Sequence, residues 1–283
     1  MSNNCVIVRY GEIGTKGENR SYFEKLLIHN IKDCLRKNDV SFESIDRPRG
    51  RIIVYSNETE KAAKSIKKVF GVTSLSCAVS TKSDLETLKS ASLLLAQEAG
   101  LDQSKSFRIS VNRLDKELPM TSNELNIELG GFVQEKTNAR VQLKGPDVDV
   151  GLDLISDQAF IFSERIQGLG GIPVGSSAGV LCYIKKKPDL LICILLMKRG
   201  CLLQIACPRE LDISLARKFS YGFSLTTKIM GLREFYKEPV LAIATADTLS
   251  TYKNRKTKAL WLTPLIAYDQ KQIEHQLEMF KRS

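Results

Sequence analysis

Five residues, Lys185-Lys186-Lys187-Pro188-Asp189, separate two apolar runs, Val180 to Ile184 and Leu190 to Met197. The pattern predicts a strand, a tight turn and a helix. Such a turn holds phosphate when small residues let backbone N–H groups reach it and the helix N-terminus adds partial positive charge. Here the turn has no glycine, and Pro188 has no N–H to donate. The three lysines can meet phosphate only as point charges. Asp189 reads most simply as a helix N-cap. The lysines read as a solvated turn or as a turn that faces RNA phosphates.

A second set of cations falls where strands and loops should end. Arg108, Arg113 and Lys116 lie on and after one predicted strand, Arg140 and Lys144 begin the next, and Arg165 closes the segment. Lys16 and Arg20 open the first predicted helix. Cations so placed suit phosphate contacts, and a solvated strand end is the plain alternative for each. Arg47-Pro48-Arg49-Gly50-Arg51 reads either as a further phosphate contact or as an exposed hairpin tip. Lys144-Gly145-Pro146-Asp147 is turn chemistry that would position Lys144.

Composition narrows the classes. The chain has 283 residues and a formal charge of +10, with a pI near 9.2. That balance points to a polyanionic partner, most simply nucleic acid. His29 and His275, the only histidines, leave almost no material for a histidine triad or metal site. Cys5, Cys34, Cys77, Cys182, Cys193, Cys201 and Cys207 form no C-x-x-C pair, which argues against zinc. Most sit in apolar runs as small hydrophobes. No catalytic residue and no metal ligand is assigned. The N-terminus MSNN starts no targeting segment, and the longest apolar run, LLICILLM, is too short to span a bilayer. A cytoplasmic protein without membrane contact is expected.

The elements that must position these residues follow from periodicity. Cys5 to Arg9 is a predicted strand, followed by an amphipathic helix with Phe23, Leu26, Leu27, Asn30, Ile31 and Leu35 on one face. Two strands flank the Arg47–Gly50 turn. A helix ending at Gly71, a strand, a helix begun near Asp84, the strand SFRISVNRLDK and a helix capped by Thr121 or Ser122 come next. Two strands then turn near Ser156-Asp157. GLGGIPVGSSAG reads as a junction. After it, Val180–Ile184, Cys201–Cys207 and Val240–Thr245 are continuous apolar strands with helices between, which predicts a parallel sheet covered on both faces. The expected divisions are an α/β unit at 1–57, a second at 58–166, a linker at 167–179 and a small doubly wound domain at 180–283.

These segments carry a family resemblance. RYGEIGTKGENRSYFEKLL resembles the start of the ThiI-type tRNA sulfurtransferases, the 4-thiouridine synthetases. VQLKGPDVDVGLDL is similar to the strand pair of a THUMP domain, and GLGGIPVGSSAGVL to the junction before the family's adenylating domain. LLMKRGCLLQIA and LTPLIAYDQKQIE resemble elements of that domain. The resemblance implies an α/β chain made of an α+β ferredoxin-like unit (1–57), a THUMP domain (58–166) and a reduced doubly wound, parallel-sheet PP-loop-like domain (180–283). It also implies that tRNA, gripped by its acceptor end, is the partner.

The family's active-site motif does not carry over. Its Ser-Gly-Gly-x-Asp-Ser loop is replaced by Lys185-Lys186-Lys187-Pro188-Asp189-Leu190, with about one residue deleted, and only Asp189 matches. A later Thr-Gly-Glu segment stands as Thr245-Ala246-Asp247. The sequence ends soon after LIAYDQKQIE, before the segment that carries the family's sulfur-transferring cysteine. The expectation is a tRNA-binding protein with a degenerate PP-loop, without catalysis or cofactor, that brings tRNA to a modification enzyme, with 4-thiouridine formation the first candidate. The alternatives are an active sulfurtransferase using ATP and magnesium at a divergent site, and a THUMP adaptor for another modification such as tRNA acetylation. Homodimers or heterodimers fit the resemblance.

Overall fold

The computed structural model describes residues 3–48, 50–115, 119–254 and 257–282. Lys116 and Arg49 lie outside them. The first half runs β1 (Asn3–Tyr10), α1 (Arg20–Lys37), β2 (Ser44–Asp46), β3 (Ile52–Tyr55), α2 (Thr59–Ile66), β4 (Val72–Lys82), α3 (Leu85–Glu98), β5 (Ser106–Arg113) and α4 (Ser122–Thr137). It continues with β6 (Arg140–Val141), β7 (Val148–Ile155), β8 (Gln158–Phe162) and β9 (Ile166–Gln167). The last part holds β10 (Gly179–Tyr183), α5 (Leu190–Lys198), β11 (Leu202–Cys207), α6 (Ser214–Arg217), β12 (Thr226–Ile229), α7 (Leu232–Phe235), β13 (Ala242–Thr245), β14 (Leu260–Leu262) and α8 (Gln270–Arg282). Among the described residues no helix is long and apolar enough to cross a membrane.

The chain forms two compact units. One comprises Met1–Tyr10, Asp39–Lys67 and Ser74–Gln167; the other Gly11–Asn38, Lys68–Thr73 and Gly168–Ser283. In the first, the strands form one sheet in the order β2-β3-β1-β4-β8-β7-β5-β6, with β9 added on β4. The alternation of VDVGLDLI places Val148, Val150, Leu152 and Leu154 on one face, where they pack with Leu88 of α3, Leu125, Leu129 and Val133 of α4, and Phe107 and Ile109 of β5. The helix starts follow capping chemistry. Asp84 accepts the Thr87 N–H at 3.0 Å. Thr121 and Glu124 form a reciprocal capping box, Thr121 N–H donating to Glu124 at 2.6 Å and Glu124 N–H to Thr121 Oγ1 at 3.3 Å. The β7–β8 turn places Ser156 at φ +53°.

The second unit carries a five-stranded parallel sheet in the order β12-β11-β10-β13-β14. Its core joins Cys182, Leu191, Ile194, Ile205, Phe219, Ala244, Leu265 and Phe280. The chain passes from β10 through α5 to β11 on one side, and β13 lies on the other. The strand order therefore reverses between β10 and β13, the place where open α/β sheets form their crevice. Helix α1 belongs to this unit and buries Leu27, Asn30, Ile31, Cys34 and Leu35. Asn30 Nδ2 donates to Val174 O at 3.1 Å, and Asp33 accepts the Gly222 N–H at 2.7 Å.

Two expectations differ from what is observed. The helix expected to reach Gly71 ends at Ile66, because Phe70 turns away to pack on Phe219, ring centroids 5.9 Å apart. Strands β12 and β14 were not expected; all four residues of β12 are exposed, so no hydrophobic pattern marks it.

Gly151 on β7 faces Phe162 of β8, and a Cβ there would lie 2.3 Å from the ring. Gly151→Ala should lower stability by about 1–3 kcal/mol through overpacking. Urea unfolding checks this, the expectation being a lower midpoint with an unchanged slope.

Candidate nucleic-acid interface and phosphate loop

The sheet face of the first unit opposite α3 and α4 carries polar and charged groups. Arg108, Ser110 and Asn112 of β5 pair in register with Asp149, Gly151 and Asp153 of β7. Asp153 is fully buried. It accepts from Arg51 Nε at 2.7 Å, Arg9 Nη2 at 3.2 Å and Asn112 Nδ2 at 3.3 Å. Arg9 is itself 7% exposed and also donates to Ser76 Oγ at 3.0 Å. Its Nε is buried without a hydrogen-bond partner among the described residues. Burial pushes the Arg9 guanidinium down to about 10, with Asp153 opposing and Arg165 and Arg51 adding to the shift. Arg9 and Arg165 both lie within cation–π reach of the Phe162 ring, at 4.6 and 5.9 Å. Two guanidiniums thus share one carboxylate, and a third, Arg165, lies against the same ring as Arg9.

Beside this cluster runs a groove of about 620 Å³, lined by Arg108, Asn112, Asn126, Ile127, Leu143 and Arg165 among others. It exists because β5 is nearly an edge strand. β6 pairs only with Ser106 and Phe107, and Asn126 Oδ1 takes the Val111 N–H at 2.8 Å. Ile127 and Leu143 are left exposed along it.

The predicted cations divide among several places. Arg108 and Arg165 line the groove. The Arg108 charge is already met by Asp149 through an ion pair that raises its pKa, and it donates to Leu143 O at 2.8 Å. Arg140 is exposed and donates to Gln142 at 3.0 Å. Lys144 is exposed, and its carbonyl accepts from Gln142 Nε2 at 2.8 Å within the turn. Arg113 faces the other way and binds the Met120 carbonyl, fastening the segment before α4. Lys16 lies 5.1 Å from the Phe23 ring and Arg20 pairs with Glu24 at 2.8 Å, both in the second unit. Arg51 is drawn inward onto Asp153, which corrects its reading as an exposed hairpin tip. Arg9 and Asp153 were missed. The legible signal was a charge inside an apolar strand, Arg9 in CVIVRY and Asp153 in VDVGLDLI, since such a charge needs a buried partner.

In the second unit the turn after β10 holds Lys185 to Asp189. The Asp189 carboxylate does not cap α5. It folds back, and Oδ2 accepts the backbone N–H groups of Lys185 at 2.9 Å and Lys186 at 3.2 Å. This corrects the N-cap reading: Asp189 stands at the N-cap position, but it also ends a one-turn 3₁₀ segment, Lys187–Asp189, that carries its carboxylate back over the turn. Asp189 is 6% exposed, and burial raises its pKa against the opposing pull of the two amides. The lysines diverge. Lys185 lies 6.0 Å from the Tyr183 ring, Lys186 faces a cavity, and Lys187 pairs with Asp212 at 3.1 Å. That cavity, about 450 Å³, sits at the carboxyl ends of β10, β13 and β14, with Asp189, Thr248, Ser250, Thr251 and Asp269 on its walls. Thr245 donates to Asp247 at 2.6 Å and accepts from Trp261 Nε1 at 2.8 Å. Burial raises the Cys201 and Cys207 thiols, the opposite of the shift that activates a cysteine.

A ferredoxin-like unit joined through one sheet to a helix-backed THUMP module, with a parallel α/β domain beyond, is the class this architecture defines. Family models agree: the ThiI ferredoxin-like domain matches residues 5–76 and the THUMP domain residues 82–164. On these domains the chain belongs to the ThiI-type proteins. It is 34% identical over 203 residues to a probable tRNA sulfurtransferase of Thermococcus kodakarensis, covering 70% of this chain and 53% of that protein. A probable tRNA sulfurtransferase of Mycoplasmopsis synoviae is 32% identical over 252 residues, 87% of this chain and 62% of that one. The chain spans about half to three-fifths of the length of these curated relatives. Among solved structures, PH1313 from Pyrococcus horikoshii Ot3 superposes with a TM-score of 0.85 at 29% identity, covering 98% of this chain and 99% of that one. A 4-thiouridine synthetase–RNA complex with bound ATP has the same fold, with a TM-score of 0.80 at 21% identity over 98% of this chain and 85% of that one.

Two stability outcomes follow from the buried carboxylates. Asp153→Ala should cost about 3–5 kcal/mol, since it leaves two guanidiniums without their counter-charge; chemical denaturation reads it. Asp189→Ala should cost about 1–3 kcal/mol for two amides left unmade, whereas Asp189→Asn keeps an acceptor and loses little. Because the native state holds the Asp189 proton more tightly than the unfolded chain, wild-type stability relative to Asp189→Asn should be highest at low pH. It should decline as pH rises from the ordinary carboxylate range through the raised pKa.

Proposed function

We propose that this chain is a tRNA-binding protein of the ThiI type that does not adenylate its RNA and instead presents the acceptor end of tRNA to a modification enzyme. The reading assigns 1–57 to a ferredoxin-like unit, 58–166 to the THUMP module, 167–179 to a linker and 180–283 to the PP-loop-like domain. The observation that carries it is the Asp189 carboxylate seated on the Lys185 and Lys186 amides. A pyrophosphate cradle needs those N–H groups free, and the loop offers neither a glycine nor an N–H at Pro188. Lys186 alone of the three lysines lines the cavity, and one flexible ammonium does not order a triphosphate.

RNA binding is supported by the THUMP match, by the RNA in the solved synthetase complex of the same fold, and by the charge surplus around Asp153. In this reading Arg165, Arg140 and Lys144 supply phosphate contacts from exposed positions, and Arg108 supplies a held guanidinium at the groove. Lys16, Arg20 and Lys116 belong to the same candidate set. The partner is a modification enzyme, with thiolation to 4-thiouridine the first candidate, acting with this chain as a homodimer or heterodimer.

Two observations favour a second reading, an active tRNA sulfurtransferase: the relatives are named so, and the 450 Å³ cavity stands at the switch point of the sheet, where ATP and magnesium would be needed. Calorimetry with magnesium-ATP and filter binding with tRNA at several salt concentrations separate the two. The first reading expects salt-sensitive tRNA binding without ATP binding. Arg165→Ala and Lys144→Ala should each weaken tRNA binding and reduce the salt slope by about one. Magnesium-dependent ATP binding that supports thiolation would sink it.

A further inference from the structure

The sheet of the second unit is covered unevenly. On one face Cys182, Ile205 and Ala244 share a core with Leu191 and Ile194 of α5 and Ile273 and Leu277 of α8. On the other face Leu181, Tyr183, Ala206 and Ile243 pack with Phe235 of α7, a helix of four residues. Cover there stops short of the strand starts. In β11, Leu202 and Gln204 are exposed while the last three residues are buried. The apolar strands of a parallel sheet call for cover on both faces, so the amino ends are where this sheet is left unfinished.

Those starts are apolar. Gly179 of β10 pairs with Leu202 of β11, and Leu241 comes just before β13, where the register sets it beside Gly179 on the other side. Leu260 opens β14 and donates its N–H to Leu241 O at 2.9 Å. Leu202, Leu241 and Leu260 are 40%, 81% and 64% exposed. Gly179 leaves a notch between its neighbours, since a Cβ there would have nothing within 4 Å. The notch opens into a cavity of about 340 Å³ whose walls are apolar apart from Gln204. Among the described residues no charged side chain lines it, in a chain that is 26% charged. Such a surface offers nothing to an RNA phosphate and leaves contiguous leucines in water. It suits the uncharged centre of a protein interface.

We infer that the amino ends of β10, β11 and β13 form the contact between two copies of this chain. The surface is complementary to itself. The protruding Leu241 and the notch at Gly179 are neighbours in one row. A two-fold axis passing between β10 and β13 at their amino ends seats each copy's Leu241 in the other's notch. A contact of this kind is isologous and closes at two copies. The strand starts meet, so the opposite ends, which carry the lysine turn, stay open. A few leucines fall short of the roughly 800 Å² per partner of a standard interface, which sets the affinity in the micromolar range. Each copy carries a net charge of +10, so repulsion opposes the contact and added salt strengthens it, the reverse of its effect on tRNA binding. This rests on the homodimeric form of the proposed tRNA-binding protein and gives it a surface.

The test is sedimentation equilibrium of the full chain without RNA, from micromolar to submillimolar concentration at low and high salt, with filter binding of tRNA on the same preparation. A monomer–dimer equilibrium that tightens as salt rises is expected. Gly179→Val places its side chain in open space and suits a strand, so the fold stays while the filled notch weakens the dimer about tenfold or more. Leu241→Asp puts a charge into the apolar contact and should leave only monomer. Circular dichroism confirms that both variants fold. A chain that stays monomeric throughout, a dimer indifferent to both substitutions, or assembly that runs on past two copies would overturn the inference and leave the tRNA-binding reading standing. A dimer that responds to both substitutions but binds no tRNA would sink that reading and leave the contact in place.

Discussion

The first unit depends on one buried carboxylate. Asp153 has no solvent to share its charge with, so the charge must be met by Arg9 from β1, Arg51 just before β3 and Asn112 from β5. Those donors come from both ends of the sheet, from the strands before α2 and from the THUMP strands. An apolar trio of similar volume would serve stability as well. What the ionic arrangement adds is register. A one-residue slip of β7 would turn Asp153 to the helix-covered face and leave both guanidiniums unpaired. Because two arginines share one carboxylate, the arrangement also leaves positive charge over, at a face where Phe162 holds Arg9 and Arg165 together.

The same chemistry runs in the opposite sense in the second unit. There the carboxylates of Asp189 and Asp269 satisfy backbone amides instead of guanidiniums, and negative charge is left over. A chain of net charge +10 thus holds two guanidiniums on one buried carboxylate in one unit and a cavity walled by two carboxylates and one lysine in the other. Net charge reports on the partner of the whole molecule and is silent on which cavity meets it.

Much of this was legible in the sequence, and the failures have physical causes. Buried strands such as β10, β11 and β13 announce themselves because most of their residues are buried and nearly all are apolar. β12, Thr-Thr-Lys-Ile, is an edge strand held by backbone bonds to β11 alone, and its side chains carry no pattern to read. The capped starts at Asp84 and Thr121 were readable because capping is local. Asp189 had the right residue type for a cap and the wrong direction, since the 3₁₀ turn Lys187–Asp189 decides where its carboxylate points. Arg51 and Asp153 are 102 residues apart, and no local rule joins them.

Composition also overstated the lysine turn. Three consecutive lysines look like an anion site, yet consecutive side chains in a turn point in different directions, and these reach an aromatic ring, a cavity and Asp212. An ammonium on a four-carbon stem is strongly hydrated and loses rotamer freedom when it is fixed. A backbone cradle has already lost that freedom on folding, which is why amides rather than lysines order a pyrophosphate. Once Asp189 takes the amides, adding lysines cannot restore the cradle, because what is missing is a fixed set of directions and not charge.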